Sequence, residues 1–279
     1  AQHTPPPSAI LAQALRTEGK RQAPLKLGVN IPRQVSFEVG PVQHIDVTPD
    51  GTWLAYTRIS GGYSELWLRS LDEALTLLPR RIAPALADRL SPALSPDGKR
   101  IAFIGTEDDV KGDVYLLDLT QAEATPAKLT GRDTEDGSPC FSPDGRTLYF
   151  DQRAQGAAER KIVALSLGGS QRAVRVVETG GDASTPAISP DGTTLAFVSS
   201  RTGMPAVHLV GVQGGTPRKL TTGLASETSP RFTPDGLGVL FSTAPYGLAG
   251  GTADDLLRFS VIGTASVARQ EAPKVLNSA

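Results

Sequence analysis

A single cysteine, Cys140, is all the thiol this chain of 279 residues contains. One thiol excludes an internal disulfide framework and any metal site built from several cysteines. Long hydrophobic runs are also missing: no apolar stretch approaches the roughly 18 residues a membrane-spanning helix needs. Neither sign of charge dominates, with 28 basic against 29 acidic side chains and a net charge of −1. The average charge therefore supplies no electrostatic reason for a nucleic-acid or anionic-membrane partner. Aromatics are scarce at 5%. No signal peptide opens the sequence. The start, Ala1-Gln2 followed by Thr4-Pro5-Pro6-Pro7, reads either as a new N-terminus left by cleavage after a small residue or as a trimmed chain.

What the chain has in quantity is glycine (29) and proline (22), which suits many short strands joined by tight turns. They are ordered. Ser/Thr-Pro-Asp-Gly occurs five times, with its aspartate and glycine at Asp50-Gly51, Asp97-Gly98, Asp144-Gly145, Asp191-Gly192 and Asp235-Gly236. The unit recurs after 47, 47, 47 and 44 residues, a repeat period that points to stacked supersecondary units. Each tetrapeptide suits a type I turn. Ser or Thr takes the first position, proline presets φ at the second, and the aspartate carboxylate can accept local N–H bonds. Glycine then adopts the left-handed conformation that returns the chain. These aspartates are read as turn builders rather than catalysts, because an active site is rarely needed five times.

Six residues after each aspartate stands an aromatic: Tyr56, Phe103, Phe150, Phe197 and Phe241. Two residues earlier comes an aliphatic: Leu54, Ile101, Leu148, Leu195 and Val239. A spacing of two puts each pair on one face of a strand, and apolar residues between them predict burial of both faces. Third strands are expected at 66–68, 114–117, 162–165, 207–210 and 256–259. Fourth strands are expected around Ile82, Leu129, Val176 and Leu220. Four strands in about 45 residues is the period of a propeller blade. The fold class is therefore all-β, a propeller of four-stranded antiparallel blades with five recognisable repeats and either five or six blades. Residues 1–24 are expected to be a tail with a short helix over 8–18, and residues 25–279 the propeller. Closure has two readings. Val35 could supply a fourth strand to the last blade, or Pro273-Lys274-Val275-Leu276 could complete the fifth repeat alone.

Ser-Pro-Asp-Gly followed by a Leu-Ala-Phe-Ser-like strand, as at 189–199 and nearly as well at 95–104, resembles the repeat of the TolB-like β-propeller family. The resemblance covers about residues 42–262 and not the α/β domain that precedes the propeller in that family. It implies a periplasmic or otherwise extracytoplasmic protein that binds a protein partner in the bacterial envelope and does no catalysis. In TolB the corresponding face of the propeller receives the lipoprotein Pal.

The chemistry-bearing residues fit binding better than catalysis. His3, His44 and His208 are isolated, and neither a nucleophile elbow nor a phosphate loop is present. Cys140 reads as a small buried hydrophobe, at a position held by Ala93 and Ala187 in sister repeats. Variation concentrates in the loops between second and third strands and in the segments that open each new blade, which share one face. Candidate partner-binding residues there are Tyr63, Asp88, Arg89, Asp108, Asp109, Arg132, Asp133, Glu135, Asp136, Asp182, Arg201, Glu227 and Tyr246. The acidic groups 107–109 and 133–136 read as solvated loops, as hard-oxygen ligands for a bound calcium ion, or as paired carboxylates of a glycosidase. No other cofactor is implied. Alternatives to the scaffold reading are a carbohydrate- or small-ligand-binding propeller, such as the accessory domain of a hydrolase, and a propeller glycosidase or lactonase.

Overall fold

The computed structural model describes residues 41–71, 78–83, 87–108, 110–121, 124–131, 133–168, 174–177, 179, 181–201, 203–222, 226–244, 261–267 and 274–275. The expected helix over 8–18 and the strand around Val35 lie outside them. The described residues contain strands, turns and loops and no helix.

Five four-stranded antiparallel sheets follow one another along the chain as the blades of a propeller. The first holds β1 (Val42–Val47), β2 (Trp53–Ser60), β3 (Tyr63–Ser70) and β4 (Arg80–Ile82). The second holds β5 (Arg89–Leu94), β6 (Arg100–Gly105), β7 (Asp113–Asp118) and β8 (Ala127–Lys128). The third is β9 (Thr134–Phe141), β10 (Thr147–Ala154), β11 (Lys161–Ser166) and β12 (Val174–Val177). The fourth is β13 (Ser184–Ile188), β14 (Thr194–Ser199), β15 (Ala206–Gly211) and β16 (Arg218–Lys219). The fifth is β17 (Ser226–Phe232), β18 (Gly238–Ala244), β19 (Val261–Ser266) and β20 (Lys274–Val275). Since β20 pairs with β19, the C-terminal segment supplies the fourth strand of the fifth blade. The segment 256–259, expected to be the third strand, lies outside the described residues, and the strand that pairs with β18 is instead β19, where Ala265 faces Val239 in register.

Each Ser/Thr-Pro-Asp-Gly unit closes the hairpin between a blade's first and second strands. The glycine N–H donates to the Ser or Thr carbonyl at 2.8 Å in all five turns, and the glycine φ lies between 66° and 73°, which costs an L side chain more than it costs glycine. The aspartate Oδ1 accepts from the Ser or Thr hydroxyl, as at Asp97 and Asp235 (2.6 Å each). It also accepts the N–H two residues on, at 3.0–3.1 Å. The serine hydroxyls and these backbone donors hold the carboxyls of Asp97, Asp144 and Asp191 below the ordinary carboxylate range.

The second-strand aromatics Tyr56, Phe103 and Phe197 are fully buried, and Phe150 and Phe241 nearly so. They sit in layers between blades. Phe103 packs with Leu66, Leu68 and Ile82 of the first blade, Phe150 with Ile104 and Val114 of the second, and Phe197 with Tyr149 and Ile162 of the third. Burying one such ring stabilises by about 1.5–3 kcal/mol, so the sheets are held face to face chiefly by these layers.

Candidate functional site

The strand order places two kinds of connection at opposite ends of the blades. Aspartate turns lie at one end, together with the links from third to fourth strands. The loops between second and third strands, and the segments that open each blade, lie at the other. This second end is the loop face.

At the loop face, acids at the blade openings cross to the preceding blade. Asp88 accepts the Ser64 N–H at 2.7 Å, Asp182 the Arg160 N–H at 2.9 Å, and Glu227 the Val207 N–H at 3.1 Å. Glu227 also accepts the Thr221 hydroxyl. Between the second and third blades the Asp136 N–H donates to the Gly112 carbonyl at 3.2 Å; within the third blade Gln152 donates to the Asp136 carboxylate at 2.8 Å. Each of the four seams between consecutive blades is thus stapled where a third strand begins, satisfying N–H groups that would be costly if buried unpaired.

Several candidate residues therefore act inward. Arg89, Asp136 and Glu227 are buried. Arg89 pairs with Glu107 and places its guanidinium 5.2 Å from the Phe103 ring centroid. Glu135, half-buried, is gripped by Arg153 and Arg160, and Arg160 also reaches Asp151 at 2.6 Å. Arg201 lies over the Phe197 ring at 5.6 Å. Tyr63, Asp108 and Asp133 are exposed. Asp108 accepts from the Tyr115 hydroxyl (3.3 Å) and Lys128 (3.2 Å). Burial, with the charge of Glu107 beside it, pushes the Tyr115 phenol up to about 12. Asp109, Arg132 and Tyr246 lie outside the described residues. Among the described residues no group of three or more His, Cys, Asp or Glu side chains is placed to hold a metal ion. No helix there is long and apolar enough to cross a membrane, a statement that leaves strand-built barrels aside.

The channel carries a second constellation. Each first strand contains a bulge whose central residue is left-handed: His44, Ser91, Ser138, Thr185 and Ser229, with φ between 39° and 52°. In four blades proline follows. A bulge breaks the two-residue alternation of side chains. Two residues beyond it, Asp46, Ala93, Cys140, Ala187 and Arg231 all line one cavity of about 640 Å³ that reaches the turn prolines. Burial pushes the half-buried Cys140 thiol up to about 12, so it stays neutral. Burial likewise raises Asp46 to about 6, against the pull of Arg231. Asp46 and Arg231 were not among the sequence candidates. Their shared position, four residues before a turn aspartate, was the available signal. His208 is buried in the fourth blade with its ring 5.7 Å from that of Phe197, and burial lowers its pKa, keeping it neutral.

Comparison with known proteins agrees with this architecture. A Tol-Pal system protein TolB from Francisella tularensis subsp. mediasiatica is 30% identical over 153 residues, which is 54% of this chain and 34% of that protein. The chain thus spans about a third of that relative's length. A TolB candidate structure from Agrobacterium tumefaciens superposes with a TM-score of 0.67 at 21% identity, covering 85% of this chain and 81% of that one. A puromycin-hydrolyzing peptidase from Mycobacterium tuberculosis shares the fold with a TM-score of 0.58 at 15% identity, covering 84% of this chain and 36% of that one. The TolB beta propeller domain family matches residues 34–172 and 157–249, a span that contains all five aspartate turns, and the chain belongs to that family.

Proposed function

We propose that the chain is a non-catalytic protein-interaction scaffold of the bacterial cell envelope, held outside the cytoplasm, which receives a protein partner on its loop face. The observation that carries this reading is the family match across all five turns, together with a relative whose name places it in the Tol-Pal system. The loop face supports it physically. Three of its blade-opening residues, Asp88, Asp182 and Glu227, are anchored to the preceding blade, which lowers the entropy lost there on docking. The exposed side chains Tyr63, Asp108 and Asp133 make the contacts, extended by Asp109, Arg132 and Tyr246, while Arg89, Glu135, Asp136 and Arg201 hold the loops in shape.

The test is capture from a bacterial envelope extract with the immobilised chain, identified by mass spectrometry and run beside a glycan array. One envelope protein retained by the wild type and lost in a Tyr63→Ala, Asp108→Ala, Asp133→Ala triple variant supports the scaffold. Reproducible hydrolysis of a sugar or lactone, abolished by replacing one channel carboxylate, overturns it. Glycan binding without a protein partner turns the assignment to a carbohydrate-binding propeller.

A further inference from the structure

The channel ring of Asp46, Ala93, Cys140, Ala187 and Arg231 differs from blade to blade in a way that packing alone does not require. Three members are small and leave the cavity of about 640 Å³ open. The other two carry opposite charges, on the first and the last blade. Asp46 is fixed by the Leu94 N–H, which donates to its Oδ2 at 2.7 Å across the seam. Arg231 donates from Nη1 to the Pro230 carbonyl at 3.0 Å. Asp46 and Arg231 act on each other through space, yet among the described residues they do not close into an ion pair.

An acid and a guanidinium held apart in a mostly apolar channel are costly to desolvate unless something bridges them. The surrounding walls, among them Leu94, Phe141, Ile188 and Phe232, are apolar. A concave, mainly apolar cavity of this size with a few convergent polar groups has the anatomy of a small-ligand site. We propose that the turn-side mouth of the channel binds a small zwitterion with an apolar body, the chemical class of a short apolar peptide. The ligand's ammonium sits on Asp46 and its carboxylate on Arg231. The site lies at the opposite end of the blades from the loop face and does not depend on a protein partner there.

Isothermal titration of the whole chain with leucyl-leucine tests it. Three blocked forms accompany the probe: N-acetylated, C-terminally amidated, and both. The free dipeptide is expected to bind, and blocking either terminus to weaken binding about tenfold or more, the scale of one charge-assisted contact. Asp46→Asn, whose amide oxygen can still accept the Leu94 N–H, should weaken the free dipeptide similarly and erase the effect of N-acetylation. Arg231→Gln should erase the effect of amidation. Ala187→Leu, which fills the cavity and leaves both charges in place, should abolish binding. Ala93→Leu repeats that test from another blade should Ala187→Leu fail to fold. No binding of the free dipeptide at millimolar concentration overturns the proposal. So does equal affinity for blocked and free forms, or undiminished binding in a folded cavity-filled variant.

Discussion

If the second-strand aromatics are the layers between blades, truncating them in different blades should cost nearly the same. Phe197 has no exposed surface and lies among Leu195 and Val210 of its own blade and Tyr149, Ile162 and Val177 of the one before. Its ring stacks against His208 with 5.7 Å between centroids. Phe103 is enclosed in the same way and stacks on Tyr115 at 5.8 Å, and Phe150 is 1% exposed. Replacing such a ring with alanine loses its transfer free energy and leaves a cavity in a seam, about 3–5 kcal/mol in all. Of that, about 0.5–1.5 kcal/mol comes from the aromatic contact where one exists. Phe103→Ala, Phe150→Ala and Phe197→Ala should each lower unfolding free energy by that amount in urea titrations, followed by tryptophan fluorescence and far-ultraviolet circular dichroism. Agreement of the two signals checks that unfolding is a single transition. Leu237→Ala, at a position 64% exposed, serves as control and should change stability by no more than about 0.5 kcal/mol. A loss below about 1 kcal/mol at any of the three phenylalanines would refute the layered arrangement of blades.

Glu227→Ala should cost about 1–3 kcal/mol, because it removes the carboxylate that accepts the buried Thr221 hydroxyl and shares the Val207 N–H with it; the same urea titration reads it. Gly98→Ala should cost more than Gly192→Ala. Both need a left-handed φ (66° and 73°), about 1–2 kcal/mol for an L residue, but only the Gly98 Cβ would also press on the Trp53 ring, at 3.3 Å. Cys140, with its thiol pushed up to about 12, should react with iodoacetamide at pH 8 at least about a hundredfold more slowly in the folded chain than in urea. Asp46 is an acid whose folded pKa, about 6, exceeds its ordinary 3.8, so its ionisation costs stability progressively as pH rises between those values. Asp46→Asn should then gain on the order of 1–2 kcal/mol at pH 8 and nothing at pH 3. A gain independent of pH would show that the carboxylate is not desolvated.

The repeat, the turns and the buried strands are legible from residue order alone. These rest on local chemistry: proline, aspartate and glycine encode a turn within four residues, and alternation assigns a face within a single strand. The aromatics at Tyr56, Phe103, Phe150, Phe197 and Phe241 were legible for that reason, as was the four-stranded blade. The third strand of the fifth blade was misplaced because apolar residues at 256–259 satisfy the same pattern. Only pairing with β18 distinguishes Val261–Ser266, and register is a property of two strands. The loop acids Asp88, Asp182 and Glu227 looked like surface groups in sequence. They became staples only when the neighbouring blade brought an N–H to each. Asp46 and Arg231 stand near opposite ends of the repeat array, and each is unremarkable where it occurs. Curvature of the blade array, set by packing between consecutive sheets, brings them to one cavity, and no local pattern encodes that meeting.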